Sequence, residues 1–193
     1  MKCFPVVSYI ILALTMNLQK YWGNNRKDGN SKLTIVLFVI YLIVLFWILL
    51  FKLGVHFSYM GNRNVNLIPF NDSKINVSEI ILNVVICVPL GIYAGILFKR
   101  WTFSAKFFFF FLISSVFEVL QFILRVGAFD ITDIVNNTLG AIVGLMIFKA
   151  IEKLFQNSGK THKFINIFAT IGTVLMISFL LLLKMNMLPI RYQ

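Results

Sequence analysis

Glu118, Gln121 and Arg125 stand at i, i+3 and i+7, so a helix through them carries an acid, an amide and a guanidinium on one face. The surrounding run, Phe107–Leu124, is otherwise apolar apart from Ser114 and Ser115. Glu118 sits about seven residues, or about 10 Å, from the Arg125 end of that run. A carboxylate at such depth in hydrocarbon costs roughly 2.5–3.5 kcal/mol on insertion scales. Folding alone would select against it, so Glu118 needs a partner, a watery cavity or a proton. A buried polar network that glues helices would satisfy the same stripe; a polar stripe reaching from mid-membrane to the surface favours a ligand-holding role.

A second stripe follows. Asp133, Asn137, Gly140 and Gly144 lie at i, i+4, i+7 and i+11, again one helical face, with Asp130 just ahead. Asp130 can cap the helix start, and an acid at Asp133 suits the positive end of the dipole. Capping needs only one acid, and Asn137 lies a turn deeper, which leaves side chains over for binding. Gly140 and Gly144 form a G-x-x-x-G and are read, with Gly91, as helix-packing positions. Upstream, Asn66-Leu-Ile-Pro69-Phe70 is an apolar, proline-containing stretch in a loop, which points to backbone dipping into the membrane interface. Asn83 and Pro89 interrupt the apolar run after it, and Pro89 should kink that helix and free a carbonyl. Asn66, Pro69, Asn83, Glu118, Gln121, Arg125, Asp130, Asp133 and Asn137 are therefore the candidate ligand-binding residues.

The elements that must position them are membrane helices. Of 193 residues, 59% are hydrophobic and 13% charged, and 21 are Phe. An average globular domain has about 45–50% and about 25%, and a chain this small has too little interior to hide the excess. Six apolar stretches can be read, Phe4–Leu18, Leu33–Leu53, Glu79–Phe98, Phe107–Leu124, Ile134–Ile151 and Phe164–Leu183. A helix crossing the hydrocarbon core needs about 20 residues; the first stretch is short and is read as a retained anchor. The expected fold is all-α, a polytopic bundle of about six transmembrane helices. It divides into an N-terminal anchor and cytoplasmic loop (1–32), a transmembrane core (33–151), and a loop with an extra C-terminal helix (152–193). The Asn-rich Gly23–Lys32 is expected as a mobile connection, and the five-Phe run Phe107–Phe111 as lipid-facing bulk.

Orientation follows from basic residues in the loops. With residues 20–32 cytoplasmic, 11 of the 18 Lys and Arg fall inside. Loops 54–78 and 125–133, which carry the unusual polar residues, then open to the extracytoplasmic side of the cell membrane.

The net charge of +11 does not indicate nucleic acid, because the basic residues are short clusters between apolar runs. Cys3 and Cys87 give no disulfide framework. His56 and His162 are isolated, so no histidine metal cluster forms and no metal site is expected. No phosphate-binding Gly-rich loop or G-x-S-x-G is present, and Ser114 and Ser115 lack a nearby histidine base, so neither a serine hydrolase nor a cofactor is indicated.

Taken in order, N-L-I-P-F, Asn83 with P-L-G, E-x-x-Q with a following Arg, and D-x-x-D-x-x-x-N-T-x-G-x-x-x-G resemble the VanZ-like family over about residues 33–150. Glu118, Gln121, Arg125, Asp130, Asp133, Asn137 and Gly140 stand where that family's pattern places polar residues and its glycine. The resemblance implies a bacterial multi-pass envelope protein, and the family's namesake lowers susceptibility to the glycopeptide teicoplanin. The helix after Lys163 has no counterpart in the core pattern.

Two functions are compatible with these residues. In the first, a polar pocket open to the outside binds a lipid-linked cell-wall precursor or a glycopeptide antibiotic. Arg125 would contact a phosphate or carboxylate, and Glu118 with Gln121 would hold sugar or amide groups. In the second, Asp130 and Asp133 hold a divalent cation and Glu118 acts as base in an enzyme acting on lipid-linked phosphates. Two aspartates three apart fall short of a metal motif, so the first reading is preferred. Membrane lipids are the remaining expected partners.

Overall fold

A computed structural model of the protein describes residues 29–51, 65–69, 77–124 and 127–184, together with Leu12, Thr15, Met16, Leu18 and Gln19. The expected anchor stretch Phe4–Leu18, most of the loop 54–78 and Arg125 fall largely or wholly outside these residues. Five helices follow in order: α1 (Gly29–Phe51), α2 (Val77–Leu97), α3 (Phe103–Leu124), α4 (Ile131–Phe155) and α5 (Ser158–Lys184). Two short strands, β1 (Val65–Asn66) and β2 (Phe129–Asp130), pair in parallel with Val65 opposite Phe129 and Asn66 opposite Asp130. The all-α expectation left no place for this pair. Helices α1 to α4 each contain an apolar stretch long enough to cross a membrane, the first being Ser31–Leu49. The helical architecture thus agrees with the expected bundle, and four of its helices are long and apolar enough to be membrane spans.

Local signals explain where helices begin. The Thr102 hydroxyl accepts the Ala105 N–H at 3.2 Å, which starts α3 four residues before the apolar run at Phe107. Asp130 caps α4 by accepting the Thr132 N–H at 2.7 Å, and Asn157 caps α5 through the Lys160 N–H at 3.2 Å. Helix α4 ends at Gln156, whose left-handed φ of 48° turns the chain toward α5. Helix α1 begins at Gly29, so the end of the stretch expected as a mobile connection is helical.

The tightest pair is α2 with α4. A Cβ built on Gly91 would overlap the Ala141 carbonyl, one on Gly140 the Val84 carbonyl, and one on Gly144 the Val88 carbonyl. Lacking that atom, the two backbones come into direct contact. Pro89 lies inside α2, where it cannot donate to the Val85 carbonyl. The Tyr41 hydroxyl of α1 donates to the next carbonyl, Ile86, at 2.9 Å and ties the two helices at this point.

Around this contact a core forms from Phe38, Leu90, Tyr93, Phe98, Leu145 and Phe148. The five-Phe run divides between core and surroundings, contrary to the expectation of uniform lipid-facing bulk. Phe109 and Phe110 are buried, and Phe109 packs edge-on against both Phe98 and Trp101, whereas Phe107, Phe108 and Phe111 are exposed. Five consecutive residues sweep more than a full helical turn, so no single face can carry them all.

Candidate functional site

The C-terminal halves of α1 and α3 and the N-terminal halves of α2 and α4 enclose a cavity of about 350 Å³. Its wall contains Glu79 and Asn83 from α2, Glu118 and Gln121 from α3, and Asp133 and Asn137 from α4, with Ile48, Leu49, Leu82 and Ile86 as apolar lining. Five of the nine candidate binding residues therefore meet in one space. All five are buried; Glu118 and Gln121 are each 1% exposed.

The helical period brings each pair to the wall, and hydrogen bonds join the helices. The Asn83 amide of α2 donates to Asp133 Oδ1 of α4 at 2.6 Å. Glu118 Oε2 accepts the Asp130 backbone N–H at 3.0 Å, so an acid in α3 holds the entrance of α4. Gln121 donates through Nε2 to the Leu49 carbonyl, joining α3 to α1. That contact orients the amide and turns Oε1 into an acceptor without a partner; Asn137 Oδ1 is likewise buried without one. Such buried acceptors are uncommon, because each has given up its hydrogen bonds to water.

Asn66, Pro69 and Asp130 lie outside the wall. The Asp130 carboxylate is turned to local work: Oδ1 takes the Thr132 N–H, and Asn66 Nδ2 approaches Oδ2 at 3.4 Å across the β1–β2 pair. Asn66 also accepts the Ile68 N–H at 3.3 Å, forming the turn that carries Pro69. Residues 66–69 are thereby fastened beside the entrance of α4, and Leu67, Ile68 and Pro69 are exposed. Among the described residues no three His, Cys, Asp or Glu side chains stand close enough to hold a metal ion.

Glu79 escaped the sequence reading, which placed it only at the start of an apolar stretch. Its spacing of four from Asn83, on the same helical face, was the available signal. Asn136, also buried, carries an amide nitrogen without a partner and had no part in the sequence pattern.

Four of the seven acids, Glu79, Glu118, Asp130 and Asp133, thus gather at one end of the bundle. The other end is basic. There Lys99 pairs with Glu152 at 2.8 Å, Lys149 lies over the Phe103 ring at 5.9 Å, and Lys106 is 7% exposed.

The VanZ/LLP1 family model matches residues 38–156, which spans the cavity and the α2–α4 contact. The chain is 35% identical over 153 residues to "Protein VanZ" of Enterococcus faecium, covering 78% of this chain and 94% of that protein. No solved structure matches. Glu118, Gln121, Asp133 and Asn137 all fall within the matched region, and on this match the chain belongs to the VanZ/LLP1 family.

Proposed function

We propose that this protein is a multi-pass protein of the bacterial cell membrane that binds an amphipathic envelope ligand in its polar cavity and lowers susceptibility to teicoplanin. The cavity opens toward the extracytoplasmic side, and the ligand is of the class of lipid-linked cell-wall precursors or glycopeptides. The observation that carries this reading is the convergence of Asn83, Glu118, Gln121, Asp133 and Asn137 from three helices on one space of about 350 Å³. That volume is within the range of about 300–1,000 Å³ usual for ligand sites, and it suits a head group better than a whole lipid. The concentration of bases at the opposite end supports the orientation, since cytoplasmic loops collect Lys and Arg. Family membership supports the link to glycopeptides.

The test is expression in a susceptible Gram-positive host challenged with a panel of glycopeptides. Wild-type protein should raise the teicoplanin concentration needed to stop growth. Glu118→Ala and Asp133→Asn, at equal membrane abundance, should lose most of that effect. Full activity in both variants would reduce the cavity to a structural feature.

A further inference from the structure

Lys106, in the first turn of α3, is 7% exposed, and its ammonium makes no ion pair among the described residues. The charges that act on it are Lys149 and Glu152 of α4 and Lys99 of the α2–α3 connection. Glu152 is the one acid in residues 97–109 and 145–155, and it already accepts from Lys99 Nζ at 2.8 Å. Lys149 lies over the ring of Phe103, the first residue of α3, so a cation stands beside the positive end of that helix. The first turn of α3 holds no acid to offset it. Three lysines and a helix N-terminus thus share one carboxylate. A buried charge without a counter-charge is costly. An anion from outside the chain would supply what is missing, and a phosphate fits, because its oxygens accept from ammonium groups and helix N–H groups together.

The surroundings indicate which anion. Trp101 is half-buried and stacks on Phe98 at 4.7 Å, and tryptophan is enriched at the membrane–water boundary. Phe103 and Phe107 flank Lys106 on one face of α3 and are both exposed. On α4, Met146 lies one turn before Lys149 and is exposed as well. Cations bordered by exposed apolar side chains at this level match an anion that carries hydrocarbon chains.

We propose that Lys106 and Lys149 bind the phosphate of an anionic phospholipid, whose acyl chains lie along Phe103, Phe107 and Met146. This site is at the basic end of the bundle and does not depend on what the polar cavity binds.

The full chain, purified in detergent, would be titrated with phosphatidylglycerol or phosphatidylcholine of the same acyl chains and read by native mass spectrometry. Phosphatidylglycerol should be retained at the lower concentration. Lys106→Gln and Lys149→Gln should each cut that preference about fivefold, the effect of one basic side chain beside anionic lipid. Lys160→Gln, at an exposed base in the first turn of α5, should leave it unchanged. Lys149 is exposed, so its variant remains informative if Lys106→Gln fails to fold. Soluble glycerol phosphate should compete only at far higher concentration; competition at equal concentration would make the ligand a free phosphate and overturn the lipid assignment. Equal retention of the two lipids, or an equal loss in all three variants, would leave only general charge attraction and overturn the site.

Discussion

Glu118 Oε2 accepts the backbone N–H of Asp130 at 3.0 Å, across 12 residues of chain and from one helix to the entrance of the next. A carboxylate set deep in an apolar helix thus has a structural partner as well as a place in the cavity wall. Alanine at 118 removes this acceptor and strands a backbone donor, at a cost of about 1–3 kcal/mol. Glu118→Ala should lower the unfolding midpoint in detergent by several degrees. Glu118→Gln, which keeps an acceptor oxygen, should lower it by less than half as much, so the glutamine variant separates charge from architecture in binding assays.

The Asn83–Asp133 contact joins α2 to α4 at the cavity wall. A double-mutant cycle of Asn83→Ala and Asp133→Ala, read by unfolding in detergent, should give a coupling of about 0.5–2 kcal/mol, the range for polar pairs within one network or between membrane helices. Additive effects would mean that the two side chains act independently.

Gly91, Gly140 and Gly144 set the α2–α4 distance, since a Cβ at each would overlap a backbone carbonyl that cannot swing aside. Alanine at any of the three should destabilise by about 1–3 kcal/mol or more, the usual cost of overpacking. Thermal stability by fluorescence-detected size exclusion should fall in each, while Gly172→Ala, made where the space is open, should leave it within about a degree.

At the basic end, Lys99 and Glu152 pair at 2.8 Å with both side chains 41% exposed. Exposed pairs contribute little, about 0–1 kcal/mol. Glu152→Gln should shift stability by less than about 0.5 kcal/mol and leave ligand binding unaltered. A large loss of stability would show that the pair is more shielded than its exposure implies.

Much of the site was legible because helical spacing is written directly in the chain. Glu118 with Gln121, and Asp133 with Asn137, share faces by arithmetic alone, and Asp130 has the type and position of a helix cap. What spacing does not encode is which face meets which. The Asn83 to Asp133 bond, the Gln121 bond to a backbone carbonyl in α1, and the pairing of Asn66 with Asp130 all join segments distant in the sequence. Glu79 looked like a polar boundary residue because its role depends on α3 and α4 arriving beside it. The phenylalanine run misled for the opposite reason, since composition hides the rotation that sends Phe109 and Phe110 inward.

Ligand binding as proposed requires a polar cavity reached from outside the cell. The direct measurement is labelling of Glu79→Cys and Asn137→Cys, each in a background lacking Cys3 and Cys87, by a membrane-impermeant thiol reagent added to intact cells. Both positions should react from outside. Reaction only after the reagent is given access to the cytoplasm would contradict the account.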